Sequence, residues 1–302
     1  MTKPKLLIVI TGATAVGKTT ISTQLAKQLE TEIISCDSRQ FYKEMQIGTA
    51  APTEEELALV PHHFIRFLSV TEPYDVFRFE ADALACLENL FQQKQFAIMT
   101  GGSGLYIDAV CRGFDELPDR DPELRMKLQQ EYKKYGLEYL QEQVKKLDPE
   151  YFSKVDINNP NRLLRAIEVC IITGKTFSQL RKGKPQERPF RILKLVLNRE
   201  RKELFDRIAL RTDKMIADGM VDEVKSLIPY RHFNALKTVG YKEIFEYLDG
   251  KISLSQAIED IKTNTRRYAK RQLTWFKKDV EYKWFHPDET NEIMELIKMQ
   301  FN

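Results

Sequence analysis

The chain opens with an unbroken apolar run, residues 6–11, that leads into a glycine-bearing loop. A continuous apolar run of this length is typical of a parallel strand that is buried on both faces. The next residues, 19–30, carry apolar side chains at helical spacing, which predicts a helix. A strand, a loop and a helix in this order predict the first unit of an α/β fold.

Three later segments also carry strand-like apolar runs, at residues 32–36, 96–100 and 191–198. Helical patterns separate them, so we predict a P-loop NTPase-like α/β fold, in which helices flank a parallel sheet. In such sheets the functional groups gather at the carboxyl ends of the strands. The first three predicted strands end at the glycine-bearing loop, at Asp37 and at a second glycine cluster, which agrees with this rule.

From about residue 118 the pattern becomes mainly helical and more highly charged. Residues 121–146 form a charged amphipathic stretch that is interrupted at Gly136, and residues 161–172 form a second helical stretch. We therefore predict a mainly helical insertion domain within an α/β core whose C-terminal part is helical. The predicted boundaries are residues 118–188 for the insertion and residues 1–117 and 189–302 for the core.

The composition is typical of a soluble globular protein, because 42% of the 302 residues are hydrophobic and 30% are charged. The net charge is only +3, so any contact with nucleic acid must depend on local clusters of basic residues. The sequence contains no signal-peptide pattern and no apolar run of the about 20 residues that a membrane span needs, so we expect a cytoplasmic protein without membrane contact. The cysteines form no CxxC pair, which indicates buried thiols and not a metal or redox motif. They are Cys36, Cys86, Cys111 and Cys170.

Two segments concentrate basic residues. Residues 262–278 contain seven Lys or Arg and no acid, with Tyr268, Trp275 and Phe276 between them. This mixture favours single-stranded nucleic acid, because aromatic rings stack on bases and Arg pairs with phosphate. The second helical stretch of the insertion also carries two arginines on one face, three residues apart, and these could contact RNA. In both segments the alternative is a solvated helix face.

The loop at residues 12–19 reads GATAVGKT and matches the phosphate-binding pattern GxxxxGK[ST] between a strand and a helix. Its glycines let backbone N–H groups turn inward around phosphate oxygens, and the helix N-terminus adds partial positive charge. Lys18 supplies a full charge, and the hydroxyl of Thr19 is placed to bind Mg²⁺. The predicted phosphate-binding residues are Gly12, Ala13, Thr14, Ala15, Val16, Gly17, Lys18, Thr19 and Thr20.

The strand at residues 96–100 lacks the acid that follows the corresponding strand in P-loop ATPases. It ends in GGSG, residues 101–104, so we infer that the bound phosphate is a leaving group and not a group to be hydrolysed. The glycines allow the backbone to approach a ligand closely, and Ser103 offers a hydroxyl. A plain glycine-rich turn is the alternative interpretation.

The second predicted strand ends at Asp37, which is followed by Ser38, Arg39 and Gln40. The Asp37 carboxylate is a candidate general base or metal ligand. Arg39 and Gln40 are candidate contacts to a phosphate or to the edge of a base. The alternative is a turn or a helix cap, since Asp and Ser favour such positions. The P-loop on the same edge of the sheet favours the functional interpretation.

Together these motifs resemble those of one family, the tRNA dimethylallyltransferases, also called tRNA isopentenyltransferases. The resemblance spans nearly the whole chain and rests on seven segments in the same order. They are GATAVGKT (12–19), DSRQFYKEMQIGTAAPT (37–53), HH (62–63), GGSGLY (101–106), NPNRLLRAIEV (159–169), KTVGYKE (237–243) and RRYAKRQLTWFKK (266–278). The chain departs from the family pattern at Ala13, where Pro is common, at Ala51, where Lys is usual, and at Ser103, where Thr is common. The cysteine pattern lacks the zinc finger of many eukaryotic members, so the resemblance is to the bacterial type.

The resemblance implies an enzyme that transfers the dimethylallyl group of dimethylallyl diphosphate to N6 of adenosine 37, next to the tRNA anticodon, and releases diphosphate. Asp37 matches the family's general base, and Lys18 with the P-loop and Mg²⁺ would stabilise the leaving diphosphate. Ser103 matches a position that contacts the target nucleotide, and Arg125 matches another RNA contact. The residues expected at the tRNA interface are Asp37, Ser38, Arg39, Gln40, Ser103, Arg125, Asn161, Arg162, Leu163, Leu164, Arg165, Lys237, Gly240, Tyr241, Lys242, Arg266 and Arg271.

The implied partners are dimethylallyl diphosphate and the anticodon stem-loop of tRNA, whose target adenine must leave its stack to reach the sheet edge. We expect the chain to act as a monomer. Three other functions fit some of the motifs. An adenylate isopentenyltransferase would use free AMP or ATP and would not need the basic segments, and a P-loop kinase would phosphorylate a small metabolite. A non-catalytic RNA-binding protein with a relic P-loop would not need Asp37.

Overall fold

A computed structural model describes residues 4–115, 117–183 and 185–301 of the chain. The chain divides into two compact units. The first, which we call the core unit, comprises the residues up to Cys111 and from Arg188 onward, and the second, the insertion unit, comprises Arg112–Glu187. The predicted insertion, residues 118–188, has boundaries close to those of the insertion unit.

The described part of the core unit contains one six-stranded sheet in the order β3-β2-β4-β1-β5-β6, and every neighbouring pair is parallel. The strands are β1 Leu6–Gly12, β2 Ile33–Ser35, β3 His62–His63, β4 Phe96–Gly101, β5 Arg191–Leu197 and β6 Lys283–Phe285. The α/β prediction is therefore confirmed, and β1, β2, β4 and β5 lie where the apolar runs placed them. The edge strands β3 and β6 were not predicted, because two or three residues carry no readable period.

The helices of the described chain surround the sheet or build the insertion unit. In chain order they are α1 Lys18–Gln28, α2 Glu54–Leu59, α3 Val76–Gln93, α4 Gly104–Arg112, α5 Pro122–Leu147, α6 Pro149–Phe152, α7 Pro160–Thr173, α8 Phe177–Leu180, α9 Arg201–Ala217, α10 Met220–Ser226, α11 Tyr241–Leu248, α12 Leu254–Phe276 and α13 Thr290–Phe301, with 3₁₀ turns at Ile228–Tyr230 and Asn234–Leu236. None of these helices has both the length and the apolar character of a membrane span.

β1 lies between β4 and β5 at the centre of the sheet, and all of its residues are buried. Its side chains alternate between two apolar clusters, with Leu7 and Val9 in one and Leu6 and Ile8 in the other. Because helices cover both faces, the strand needs apolar residues at every position, which explains the unbroken run in the sequence. Representative helix residues are Phe79, Ile244 and Phe276 in the first cluster and Leu25, Leu204 and Ile297 in the second.

The insertion unit has its own apolar core, to which α5, α7 and the short helices α6 and α8 contribute Leu140, Leu163, Tyr151 and Phe177. Gly136 has a φ of 78° and interrupts α5, which confirms the predicted break. A residue with a side chain would be strained in this left-handed conformation.

Candidate active site

The predicted phosphate-binding loop connects β1 to α1, with Gly12 at the end of the strand and Lys18 at the start of the helix. Gly12 has a φ of +146°, and a Cβ atom at this position would lie 2.4 Å from the carbonyl oxygen of Leu197. Only glycine fits there, so the strand can turn sharply into the loop. The side chains of Ala13 and Val16 are fully buried beneath the loop, so these two residues can offer a ligand only backbone groups.

Lys18 lies in the loop as a partly buried cation. Its Nζ donates to the carbonyl oxygens of Gly12 at 3.1 Å and Ala13 at 2.9 Å. Burial lowers the pKa of Lys18 from 10.5 to about 8, an effect that the Asp37 carboxylate opposes and the Arg211 guanidinium reinforces. An anion bound in the loop would stabilise the protonated form of this ammonium group.

Asp37 follows β2 and forms a turn. Its Oδ1 accepts the N–H of Arg39 at 3.1 Å, and its main-chain oxygen accepts the N–H of Gln40 at 3.0 Å. Oδ2 accepts no hydrogen bond from the residues that the structure describes. The carboxylate is thus held in place through one oxygen while the other remains available for chemistry, so the turn and the functional interpretation are compatible.

Two cavities meet at Asp37. The first, of about 390 Å³, is lined by Lys18 and Thr19, which are predicted to bind phosphate, and by basic residues of α9. The second, of about 330 Å³, is lined by polar residues of the Asp37 loop and by apolar and aromatic side chains such as Tyr268. Thr14, Asp37 and Arg211 line both cavities. A group in the first cavity and a group in the second would therefore meet at the Asp37 carboxylate.

The sequence analysis missed the arginines of the α9 region. Arg211 donates to the Thr49 carbonyl oxygen at 3.0 Å, and burial lowers its pKa while Asp37 raises it. Arg207 donates to the carbonyl oxygen of Ala15 at 2.8 Å. Only the i, i+4 spacing of these two arginines could have indicated a shared face, and that spacing is common in charged helices.

The glycine loop after β4 lies against the Asp37 loop. Ser103 Oγ accepts the N–H of Ser38 at 3.1 Å and donates to Ser38 Oγ at 3.2 Å. A Cβ atom on Gly101 would lie 2.8 Å from the backbone nitrogen of Asp37. One on Gly104 would lie 2.4 Å from the indole ring of Trp275. The glycines are thus required by close packing within the protein, which the sequence alone did not distinguish from approach to a ligand.

The oxygen donors in the first cavity fit a magnesium ion. The hydroxyl of Thr19 and the carboxylate of Asp37 both line it. The described residues contain no group of three or more His, Cys, Asp or Glu that could hold a metal ion by themselves. Mg²⁺ is usually held by one or two protein oxygens together with substrate phosphates and water, so these two donors are compatible with such an ion.

Comparison with known families shows to which family the chain belongs. The family model described as IPP transferase matches residues 40–279, which is more than half of the chain. The chain belongs to the IPP transferase family.

Relatives in the IPP transferase family match almost the whole chain. The tRNA dimethylallyltransferase 1 of Bacteroides thetaiotaomicron is 48% identical over 294 residues, which cover 97% of this chain and 96% of the relative. The tRNA dimethylallyltransferase of Christiangramia forsetii is 49% identical over 297 residues, covering 98% of each. The predicted family resemblance is therefore confirmed.

Solved structures of the family share the fold. The full-length tRNA isopentenylpyrophosphate transferase of Bacillus halodurans superposes with a TM-score of 0.73 at 36% identity, covering 100% of this chain and 97% of that one. A structure of a eukaryotic dimethylallyltransferase acting on tRNA gives a TM-score of 0.78 at 28% identity. The match covers 94% of this chain and 74% of the eukaryotic chain.

Two side chains that the family motifs suggest as RNA contacts, those of Arg39 and Gln40, hold loops of the core unit together. Arg39 Nη1 donates to the carbonyl oxygens of Asn234 and Ala235, at 3.1 Å each. Gln40 Nε2 donates to the carbonyl oxygens of Thr49 at 3.3 Å and Ala50 at 3.1 Å. Gln40 lines the first cavity and Arg39 lines the second. Lys237, Lys242 and Arg271 are exposed.

Tyr241 was expected to face tRNA, but its side chain is fully buried. Its hydroxyl donates to Glu223 at 2.6 Å, and a Cβ atom on Gly48 would lie 2.7 Å from its ring. Gly240 is also buried, and a Cβ there would lie 2.7 Å from Met220. These residues support the wall of the second cavity, because Gly48, Met220 and Gly240 line it. The family motif marks a structural position here and not an RNA-facing side chain.

Within the insertion unit the predicted RNA contacts fall into three groups. Leu163 and Leu164 are buried in the apolar core, so their side chains cannot contact RNA and that expectation is corrected. Their neighbours Asn161 and Arg162 are exposed on the same helix. The other two residues expected to contact RNA flank the fully buried carboxylate of Glu168. Arg165 Nη1 lies 3.1 Å from Glu168 Oε2, and Arg125 Nη1 lies 3.7 Å from the same oxygen.

The basic and aromatic residues of α12 do not form one continuous surface. Phe276 is buried in the core and cannot stack on a base, whereas Tyr268 lines the second cavity beside Asp37. Arg266 lies over the ring of Phe205 at 5.3 Å and lines a separate cavity of about 550 Å³. Of the predicted stacking residues in this helix, Tyr268 is thus the one best placed near the candidate base.

Proposed function

We propose that the chain transfers the dimethylallyl group of dimethylallyl diphosphate to N6 of adenosine 37 in tRNA and releases diphosphate. The observation that carries the proposal is the meeting of the phosphate-binding cavity and the second cavity at the Asp37 carboxylate. Membership of the IPP transferase family and the tRNA dimethylallyltransferases that match nearly the whole chain support it.

In this proposal the first cavity holds the diphosphate of the prenyl donor. The allylic C1–O bond breaks, and negative charge develops on the departing oxygens. Backbone N–H groups of the P-loop, the N-terminus of α1 and the Lys18 ammonium stabilise that charge. Arg211 and Arg207 line the same cavity and add positive charge. A Mg²⁺ ion held by Thr19 and the substrate phosphates would further stabilise the leaving diphosphate.

Asp37 acts as the general base. The nucleophile is an exocyclic amine whose lone pair is delocalised into the purine, so its proton must leave as the new C–N bond forms. The free Oδ2 of Asp37 accepts this proton, while the Arg39 N–H keeps the carboxylate oriented through Oδ1. The described residues that follow β4 supply no acid for γ-phosphate hydrolysis, which fits diphosphate as the leaving group.

The target adenine enters the second cavity after it leaves the anticodon-loop stack. Tyr268 offers an aromatic face there, and Ser38, hydrogen-bonded to Ser103, lines the same space. We propose that exposed basic residues of both units bind the RNA backbone. These are Lys237, Lys242, Arg271 and Arg162, with the neutral amide of Asn161 beside Arg162 and with Arg125, Arg165 and Arg266 as partly buried additions.

The core unit contains the P-loop, the base and both cavities, so one chain suffices for the chemistry and we expect a monomer. Because tRNA is the proposed acceptor, we expect the protein to act in the cytoplasm.

The experiment is a transfer assay with isotopically labelled dimethylallyl diphosphate and either unmodified tRNA or free AMP. We expect the label in tRNA, and mass spectrometry of digested tRNA should identify N6-dimethylallyladenosine. Label in AMP but not in tRNA would instead favour an adenylate isopentenyltransferase. ATP-dependent phosphorylation of a nucleoside, without any prenyl transfer, would favour a kinase.

A further inference from the structure

Gln272 of α12 lies beneath the active site and makes two hydrogen bonds there. Its side-chain Oε1 accepts the backbone N–H of Thr14 at 2.9 Å, and its Nε2 donates to the carbonyl oxygen of Gly102 at 2.9 Å. The residue is only 6% exposed, so neither bond competes strongly with water. One amide group thus joins the P-loop, which follows β1, to the glycine loop, which follows β4.

The fit around this amide is tight. A Cβ atom on Gly102 would lie 2.1 Å from Gln272 Nε2, so glycine is required for the bond to form. The next residue, Ser103, is hydrogen-bonded to Ser38 beside Asp37. The P-loop is therefore linked to the loop of the candidate base through two side chains, those of Gln272 and Ser103.

We propose that Gln272 is a positioning residue for prenyl transfer, a role that rests on the function proposed above. It holds the P-loop at a fixed distance from the glycine loop. The diphosphate in the P-loop therefore keeps a fixed position relative to the Asp37 carboxylate. Misplacement of a reacting group by about 1 Å can cost about a hundredfold in rate. Without the amide, a partly buried donor on Thr14 and a buried acceptor on Gly102 lose their partners, which favours a shift of both loops.

The chemistry of the position selects an amide. Gln272 must supply one acceptor and one donor at the same time, and a neutral amide does so. An ionised Glu is the same size but supplies only acceptors, so it would face the Gly102 oxygen with negative charge. Met is of similar length and supplies no strong donor or acceptor. The residue was not singled out in the sequence because it stands within a run of basic residues.

The first test compares Gln272→Met with Gln256→Met, a matched change of an exposed amide on the same helix. We expect Gln272→Met to raise the KM for dimethylallyl diphosphate and to lower kcat, for a combined loss of about ten- to a hundredfold. The KM for tRNA should remain within about twofold, since Gln272 is only 6% exposed and is not one of the residues proposed to bind RNA. Gln256→Met should match the unaltered protein in every parameter.

The second test uses Gln272→Glu across a range of pH. A protonated carboxylic acid offers an O–H donor and a carbonyl acceptor, as the amide does. Burial raises the pKa of a carboxylic acid. The Glu side chain should therefore become protonated, and should restore the lost hydrogen bond, at a pH at which the enzyme can still be assayed. We expect the deficit of Gln272→Glu relative to the unaltered protein to shrink as the pH falls from about 8 to about 6. A residue that only fills space would show no such recovery.

Calorimetric binding of inorganic diphosphate separates this inference from the proposed function. We expect Gln272→Met to bind inorganic diphosphate about tenfold more weakly and Gln256→Met to bind it normally, whether or not either protein modifies tRNA. The inference is overturned if Gln272→Met binds diphosphate and turns over like its control. It is also overturned if the Gln272→Glu deficit stays constant with pH, or if both KM values rise together. Absence of transfer by the unaltered protein would count against the proposed function alone.

Discussion

Asp37 and Arg211 line the same two cavities, although one follows β2 and the other lies on α9. The carboxylate opposes the fall in the pKa of the guanidinium that burial causes. A proton acceptor and a cation thus both line the region where the two cavities meet. The acceptor suits an amine that loses a proton, and the cation suits a departing diphosphate.

Substitution of Asp37 tests the base directly. Asp37→Asn keeps an oxygen that can accept the Arg39 N–H but removes the basic carboxylate. We expect kcat to fall by about a hundredfold or more while tRNA still binds, which single-turnover transfer and filter-binding assays would measure. Asp218→Asn, at an exposed aspartate on the surface, should leave both values unchanged. Normal kcat in Asp37→Asn would exclude Asp37 as the base.

The pKa of Lys18 predicts the pH dependence of donor binding. Because burial lowers this pKa to about 8, the ammonium of the free protein loses its proton as the pH rises through about 8. Diphosphate binds the protonated form better, so its affinity should be steady below about pH 8 and should fall above it. Calorimetric titration with inorganic diphosphate at several pH values measures this. Lys18→Arg should flatten the curve, and an unaltered protein with constant affinity up to about pH 10 would contradict the prediction.

Arg211 should stabilise the leaving diphosphate. We expect Arg211→Met to lower kcat/KM for dimethylallyl diphosphate by about a hundredfold, because a buried cation next to developing charge is lost. Lys214→Met, an exposed cation on the same helix, is the matched control and should have no effect. Steady-state kinetics with saturating tRNA measure kcat/KM for dimethylallyl diphosphate in both variants. An equal effect of both changes would show that general charge, and not Arg211, is responsible.

Neighbouring residues of α7 should separate RNA binding from stability. Arg162→Ala removes an exposed cation, so we expect the KM for tRNA to rise severalfold with a weaker salt dependence and an unchanged melting temperature. Leu163→Ala opens a cavity in the core of the insertion unit and should lower the free energy of unfolding by about 2–5 kcal/mol. Thermal denaturation and tRNA titrations at two salt concentrations measure the two effects. The assignment of Arg162 fails if its substitution leaves tRNA binding unchanged.

Local patterns in the sequence predicted the central part of the fold. The apolar run of β1, the loop from Gly12 to Thr19 and the break at Gly136 each depend on neighbouring residues, so they could be read directly. The short edge strands could not, because β3 and β6 depend on pairing with strands far away in the chain. The central strand β1 could be predicted because a strand that is buried on both faces needs apolar residues at every position, and this gives an unbroken apolar run in the sequence.

The candidate site was predicted less completely, for a related reason. Asp37 and Lys18 stand at strand ends and helix starts, positions that a motif identifies. Arg211 and Gln272 reach the site only through the packing of α9 and α12, and their sequence neighbours give no sign of it. Tyr241 illustrates the opposite error, since a family motif records that a position matters without recording whether its side chain faces solvent or core.

The place of α12 after the insertion unit has a consequence during protein synthesis. The P-loop, Asp37 and the glycine loop leave the ribosome early, but the amide that links two of these loops emerges with Gln272, after the whole insertion unit. A nascent chain that ends before α12 therefore has the P-loop sequence but lacks the Gln272 amide that links the P-loop to the glycine loop. It also lacks Tyr268, which lines the second cavity. Assembly of the reactive centre is in this way deferred until the insertion unit and α12 have both been translated.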